Sequence, residues 1–579
     1  MAHTVADELV KMLVNAGVKR VYAVTGDSLN PVNDAVRRDG RLQWIHVRHE
    51  EAGAYAASMD AELDGIGCCM GSSGPGHVHL VNGLYDANRA GNPVIAIATT
   101  VETNKLGTDN FQETNVTKLF DDCSKYCFMA NTPQQAIHGI QSAIQSAIQQ
   151  KGVGVVGLPG DVSSAETQTI TTSHKNYYSN AKVLPREEQL EELAEVINNN
   201  EKVMLFCGHG CKDAQNEVRA LCKKLNAPMG FSFRGKIFFD KTDNPYRVGL
   251  NGLLGMKSGF KAMHDADVLL LLGTDFPYSD FLPEKNTIVQ IDLKPERIGR
   301  RAKVDYGYHG SIKDTLQALF PKVNEKKSKV FLEEMQQLHR ENEKDYESYV
   351  QGKSENKKIH PEYVASLIDQ LATNDAIFTV DTGMSAVWAA RYLKGKTNRY
   401  LTGSFNHGSM ANAMPMAIGA GLGHPDRQVI ALCGDGGLTM LLGDLMTISQ
   451  YQIPAKIVIF NNRALGMVKL EMEVAGYPDW QTDMHNPDFK KLAESMNIKA
   501  WEAKESNEVQ GALAAAFAHK GPALINIYTD PEALAMPPKI EFEQLKGFAE
   551  SMGKLMLNGR SAEVIDAAKS NYKYLRELF

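Results

Sequence analysis

Residues 428–437, Gln-Val-Ile-Ala-Leu-Cys-Gly-Asp-Gly-Gly, run from an apolar strand into a turn in which three glycines surround one acid. Residues 437–460 follow, and a second apolar run beginning at Lys456 ends in Asn461-Asn462. Two apolar strands separated by a helix-length segment predict neighbours in a parallel sheet covered on both faces. Ligands bind such open sheets outside the carboxyl ends of their strands, which is where Asp435 and Asn462 stand.

The same pattern recurs outward from this stretch. Apolar runs at 376–380, 428–432, 456–461 and 523–527 form one series. A second occupies 21–24, 42–47, 66–70, 94–98 and 153–158, and a third 203–207, 229–232, 268–272 and 288–291. The predicted fold is α/β, with three doubly wound parallel-sheet domains at 1–182, 183–345 and 359–535. Polar, aperiodic segments near residues 182 and 350 mark the boundaries. After Pro537-Pro538 a tail, 536–579, ends in a predicted amphipathic helix. Its stripe is Val564, Ile565, Ala568, Tyr572, Leu575, Leu578 and Phe579, opposite Lys569, Lys573 and Arg576. The similar layouts of the first and last units are compatible with an ancient duplication.

A length of 579 residues agrees with three or four domains. With 43% hydrophobic and 23% charged residues, disordered and integral-membrane classes fit badly. Lys plus Arg number 62 against 69 for Asp plus Glu, a net charge of −7 that offers no broad basic field, so nucleic acid is not an expected partner. The eight cysteines contain no Cys-x-x-Cys pair, which argues against a zinc site or disulfide framework and for a reducing, cytosolic compartment. The N-terminus lacks the basic and apolar regions of a signal peptide. No run of about 18 apolar residues is present to span a bilayer.

Mg²⁺ takes oxygen ligands, usually few carboxylates plus cofactor phosphates. Asp435 supplies one charge and Asn462 a neutral oxygen, the glycines admit a diphosphate, and a helix starting near Gly437 would aim free N–H groups at it. Taken alone, Gly-Asp-Gly-Gly is equally an ordinary strand-to-helix turn; the Asn-Asn ending the next strand favours the site. Arg48-His49-Glu50-Glu51 opens a helix of small residues, and the helix dipole accounts for Glu51. The loop Gly403-Ser404-Phe405-Asn406-His407-Gly408-Ser409-Met410 could equally hold a core methionine. Gly74-Pro75-Gly76, Phe111-Gln112-Glu113-Thr114 and Gly208-His209-Gly210 are individually weak signals.

The spacing from Gly-Asp-Gly to Asn-Asn resembles the motif of the thiamin-diphosphate family that includes pyruvate oxidases, pyruvate decarboxylases and acetohydroxyacid synthases. The resemblance extends from residue 1 to the tail. It implies Mg²⁺ on Asp435, Asn462 and the Ala464 carbonyl, with Gly436, Gly437, Leu465, Gly466 and Met467 beside the diphosphate. It implies that Glu50 hydrogen-bonds N1′ of the aminopyrimidine, so that the cofactor's own 4′-nitrogen removes the C2 proton. Gly408, Ser409 and Met410 would hold the pyrimidine edge, with Met410 the wedge that bends the cofactor.

In the middle domain Asn251-Gly252-Leu253-Leu254, Thr274-Asp275-Phe276-Pro277-Tyr278 and Asp292 resemble the FAD-binding segments of pyruvate oxidases, especially those of quinone-dependent bacterial pyruvate dehydrogenases. Met467 stands where those relatives carry Phe, as an apolar mobile wall of the active site. Residues 554–579 carry five basic side chains against three acidic, as a membrane-surface anchor would. The implied function is oxidation of pyruvate to acetate and CO₂, through FAD to ubiquinone or menaquinone. The enzyme would be a homo-oligomer, a tetramer, peripheral on the inner face of the cell membrane. Glu50 and Asp435 of one site would lie on different subunits. Rival readings are a phosphate- and oxygen-dependent pyruvate oxidase, an acetohydroxyacid synthase-like ligase, and a catalytically dead nucleotide-binding scaffold.

Overall fold

The computed structural model describes residues 3–168, 177–178, 181–350, 358–533, 542–557 and 560–571. Three six-stranded sheets, parallel throughout, carry the chain. The first contains β1 (Arg20–Ala23), β2 (Gln43–His46), β3 (Gly67–Gly71), β4 (Val94–Thr100), β5 (Tyr126–Met129) and β6 (Val153–Pro159), in the order β2-β1-β3-β4-β6-β5. The second contains β7 (Val203–Cys207), β8 (Met229–Phe231), β9 (Arg247–Leu250), β10 (Val268–Leu272), β11 (Thr287–Asp292) and β12 (Tyr306–His309), in the order β12-β11-β10-β7-β8-β9. The third contains β13 (Ile377–Val380), β14 (Tyr400–Gly403), β15 (Val429–Gly434), β16 (Ala455–Asn461), β17 (Lys499–Ala503) and β18 (Ala523–Tyr528), in the order β14-β13-β15-β16-β18-β17.

The first and third sheets thus share one strand order, while the second has that of dinucleotide-binding domains. Five strands escape the sequence reading: β5, β9, β12, β14 and β17. Every one is an edge strand. An edge has one neighbour and a partly solvated face, so its residues need not form an apolar run. Tyr306–His309 has a single buried position, Tyr308, and Lys499–Ala503 has two, Ala500 and Ala503.

The first and third domains share a core, built where helix Glu50–Asp64 crosses helix Ala413–Gly423. Both are rich in Ala and Gly because the backbones nearly touch. A Cβ on Gly419 would stand 2.4 Å from the Ala56 carbonyl oxygen. This contact fixes the loop before Glu50 and the strand ends of the third sheet relative to one another. Helix Val330–Tyr349, highly charged in sequence, buries Phe331 and Met335 in the middle domain's core, so the boundary expected at 345 falls inside it. Among the described residues no helix is long and apolar enough to cross a membrane.

Candidate active site

The carboxyl ends of β13, β15, β16 and β18 open into a cavity of about 270 Å³. Its walls include Thr382 to Ser385, Gly434 to Gly437, Asn462, Ala464 to Met467 and Thr529 to Ala533, with Gly408 and Met410 on one side. The sequence-predicted Mg²⁺ and diphosphate residues therefore meet in one place. Asp435 is 2% exposed. Its Oδ2 accepts from the Arg463 N–H at 2.9 Å and from Asn486 Nδ2 at 2.6 Å. Burial raises its carboxyl pKa, while Asn486 and the neighbouring N–H groups pull it back down. Arg463 adopts φ +55°, a strained left-handed conformation for a branched-out side chain, which turns its N–H to Asp435 between Asn462 and Ala464.

Helices Met384–Tyr392, Asp435–Met440 and Gly466–Val474 begin at this cavity without side-chain caps. At the second of them the Asp435 carboxyl takes the first N–H groups; the other two begin with uncapped N–H groups that favour an anion. The second helix begins at Asp435, two residues before the expected start, which places the acid itself on the first turn. At Gly437 a Cβ would come within 2.4 Å of Asp381 Oδ2, and at Gly436 within 3.0 Å of Leu465. One carboxylate, one amide oxygen and an adjacent backbone carbonyl make a hard oxygen donor set, and the bare helix ends make an anion cradle. Together these residues fit a magnesium-bound diphosphate.

Asp381 was missed from sequence. It follows β13, is 1% exposed and has its carboxyl pushed up to about 7 by burial. Its Oδ1 accepts from the Ala413 N–H at 2.8 Å, and its Oδ2, facing Gly437, has no partner. The signal was present: Asp381-Thr382-Gly383 repeats after 376–380 the apolar-run, acid and glycine order of 428–437. Asn486, supplied from a loop far along the chain, carries no comparable mark.

Glu50 opens its helix with His49 as the N-cap, whose Nδ1 accepts from the Glu51 N–H at 3.2 Å. The Glu50 carboxyl is 6% exposed and lies 2.9 Å from His79 Nδ1; the His79 ring stacks on His49 with centroids 4.4 Å apart. A Cβ on Gly76 would lie 3.2 Å from Glu50 Oε1, so the Gly74-Pro75-Gly76 turn closes around this acid. Ser73 Oγ donates to the Gln112 carbonyl at 2.9 Å, bringing the two weak segments 74–76 and 111–114 together. Phe111, 83% exposed, projects beside them.

Glu50 is not among the walls of the Asp435 cavity. Within one chain Glu50 and the Asp435–Asn462 cavity therefore stand apart. Ser409 belongs with the Glu50 side, since its Oγ accepts from Asn82 Nδ2 at 3.0 Å, whereas Gly408 and Met410 face the cavity.

In the middle domain the carboxyl ends of β7, β9, β10 and β11 bring Gly208, Asn251 to Leu254, Thr274 to Tyr278 and Asp292 to one sheet edge. Gly208 and Gly210 pack on Gly273 at the point where the strand order reverses; a Cβ on Gly208 would lie 2.3 Å from the Gly273 oxygen. Tyr278 lies over Gly252, and Phe276 is buried against Phe206. Asn251 Oδ1 is buried without a partner. That oxygen faces Gly259 on the following helix, so it is the dinucleotide-type strand order and the close-packed glycines at its switch point that fit a bound nucleotide cofactor.

The tail is docked. Ser551 Oγ donates to the Tyr477 carbonyl at 3.0 Å, Lys554 to that of Gly476 at 2.7 Å, and Arg560 pairs with Asp479 at 2.8 and 3.1 Å. Asn571 donates to the Glu532 carbonyl at 2.7 Å. Helix Ser561–Ser570 buries Val564 and Ala567 against the body and leaves Ile565 and Lys569 outside, so the expected stripe is divided between two faces. Its continuation, Tyr572 to Phe579, lies outside the described residues.

Between cavity wall and tail, Glu473 is 3% exposed and pushed up to about 7 by burial; Lys469 and Arg560 oppose the shift, Glu532 and Asp479 add to it. An acid raised in the folded state stabilises most when protonated, and that stability is lost as pH rises through the folded value. Protection factors of residues 560–571, which remove the intrinsic pH dependence of exchange, are expected to fall as pH rises to about 7 and to level off above it. Glu473→Gln should flatten that dependence.

Comparison with known proteins agrees with this geometry. Residues 3–119 match the thiamine pyrophosphate enzyme N-terminal TPP binding domain, 190–319 the central domain and 381–527 the C-terminal TPP binding domain. A putative thiamine pyrophosphate-containing protein, YdaP, of Bacillus subtilis is 34% identical over 587 residues, covering 100% of both chains. A pyruvate oxidase of Lactiplantibacillus plantarum is 31% identical over 90% of this chain and 87% of its own. A probable acetolactate synthase large subunit of Methanocaldococcus jannaschii is 32% identical over 92% and 93%. The chain belongs to the thiamine pyrophosphate enzyme family.

Proposed function

We propose that the protein oxidises pyruvate to acetate and CO₂ and passes the electrons through FAD to ubiquinone or menaquinone at a membrane surface. The observation that carries this reading is the pair of complementary half-sites: a buried acid, Glu50, on one domain and an Asp435–Asn462 cavity lined by apolar side chains on another. A homo-oligomer, a tetramer built from dimers, would join the halves from different subunits. Phe111, exposed beside Glu50, and Met440 and Val468, exposed near the cavity, are apolar surfaces suited to that contact.

Thiamin diphosphate, when bound, supplies a carbon acid that becomes a nucleophile toward the keto carbon and takes up the electron pair left by CO₂. Asp435, Asn462 and the Ala464 carbonyl would hold its magnesium. Glu50 would hold or give a proton at the pyrimidine edge, with His79 orienting the carboxyl. Met410 would support the bend, and Met467, on the next helix, would wall the substrate from water. FAD, when bound, supplies a two-electron acceptor; Asn251 to Leu254, Thr274 to Tyr278 and Asp292 would hold it.

A pyruvate oxidase at 31% and a probable acetolactate synthase at 32% identity are similar to this chain to the same degree. The basic tail and the resemblance of segments 251–254, 274–278 and Asp292 to those of pyruvate oxidases are what favour the oxidase reading. Product analysis with pyruvate tests this. Acetate is expected; acetyl phosphate with peroxide, or acetolactate, would overturn the acetate-forming reading. A peripheral site on the inner face of the cell membrane follows from the quinone acceptor and the basic tail. Deleting residues 561–579 is expected to abolish flotation with anionic liposomes. Unchanged flotation would remove the tail as the anchor.

A further inference from the structure

A groove of about 550 Å³ lies away from both half-sites, at the seam between the middle and C-terminal domains. Its walls are Gln215 and Arg219 on helix Gln215–Leu225, Lys241 and Asp243 after helix Phe233–Phe239, and Asn374 and Lys396 from the C-terminal domain. The domains are zipped at its floor, where Lys241 bridges to Gly395 and the Gly395 N–H donates to the Asp240 carbonyl at 2.9 Å. Any ligand here touches both domains.

Three cations line the groove against one carboxylate. Arg219 reaches Asp243 only at 3.3 and 3.4 Å, and its Nε is buried without a partner. Lys396 borders the groove with its ammonium already partnered, donating to the Asp369 carbonyl at 3.0 Å and standing 3.8 Å from the Asp369 carboxylate. Lys241 donates to the neutral Gln215 Oε1 at 3.3 Å, and among the described residues no carboxylate lies within ion-pair distance of it. Burial and the neighbouring Arg219 both push the Lys241 pKa down, with Asp243 opposing weakly. Holding two cations together half-buried costs free energy unless an anion joins them. The donor set combines a point charge, a guanidinium and side-chain amides, which suits the tetrahedral oxygens of a phosphate. The volume exceeds what inorganic phosphate needs and accommodates a small metabolite carrying one.

We propose that this seam is a binding site for a small phosphorylated anion, held by Lys241 and Arg219 and bordered by Asn374 and Lys396 of the C-terminal domain. It is independent of the catalytic reading. The test uses the holoprotein saturated with thiamin diphosphate, magnesium and FAD, so that the cofactors' own phosphate sites are filled. Inorganic phosphate and adenosine monophosphate are titrated calorimetrically. Saturable binding of one ligand per chain is expected, with Kd raised at least about tenfold by Lys241→Gln and by Arg219→Gln and largely restored by Lys241→Arg. Tighter binding of the monophosphate identifies a nucleotide-sized occupant, and equal binding identifies the phosphate group alone. No saturable binding, or a Kd that the two Gln variants leave unchanged, would overturn the proposal.

Discussion

Glu50→Gln is expected to lower pyruvate turnover at least about a hundredfold while thiamin diphosphate and FAD remain bound. The substitution keeps the side chain's shape inside the pocket formed by Gly76, Ser72 and His79, so the helix start should persist. What it removes is the ability to exchange a proton. Glu51→Gln is the control, one residue further on: the Glu51 carboxylate accepts from Asn82 Nδ2 at 2.7 Å and is accounted for by the helix dipole. Its effect should be at most a few-fold. Exchange of the C2 proton of bound thiamin diphosphate, read by quenched-flow NMR, separates a proton-transfer defect from a binding defect. Comparable exchange rates in wild type and Glu50→Gln would refute the assigned role.

Asp435→Ala is expected to weaken magnesium-dependent binding of thiamin diphosphate by more than about a hundredfold, beyond what loss of a ligand's supporting partner costs. The same reasoning gives Asn486→Ala a smaller loss of about tenfold, because Asn486 only orients Asp435 through its 2.6 Å hydrogen bond. Cofactor-free stability should move differently. Burial already raises the Asp435 pKa, so its charge is a burden on the empty fold. Thermal unfolding of the cofactor-free variant should occur at or above the wild-type temperature, while the rise on adding magnesium and thiamin diphosphate disappears. A variant that unfolds early yet keeps the cofactor-induced rise would contradict the metal assignment.

The sequence disclosed the three α/β domains through apolar runs of buried central strands, and it missed β5, β9, β12, β14 and β17 because edge strands carry no such run. Asp435 and Asn462 were legible because consecutive strand ends in a parallel sheet lie side by side. Asp381 obeys the same rule one strand over, on β13, and was recoverable. Asn486 and the pairing of His79 with Glu50 were not, since contacts between the ends of separate elements leave no period in a chain. The tail shows the limit of amphipathic reading: a stripe identifies a helix and not which side it buries. Val564 faces inward and Ile565 outward although both belong to the same stripe.

The most direct measurement adds pyruvate to the cofactor-loaded enzyme without oxygen and follows flavin absorbance, then adds a quinone analogue with and without phospholipid. Bleaching by pyruvate, followed by return of the oxidised spectrum on adding the quinone, is the expected result, faster when lipid is present. A flavin that stays oxidised while pyruvate is consumed into acetolactate would contradict the oxidative reading.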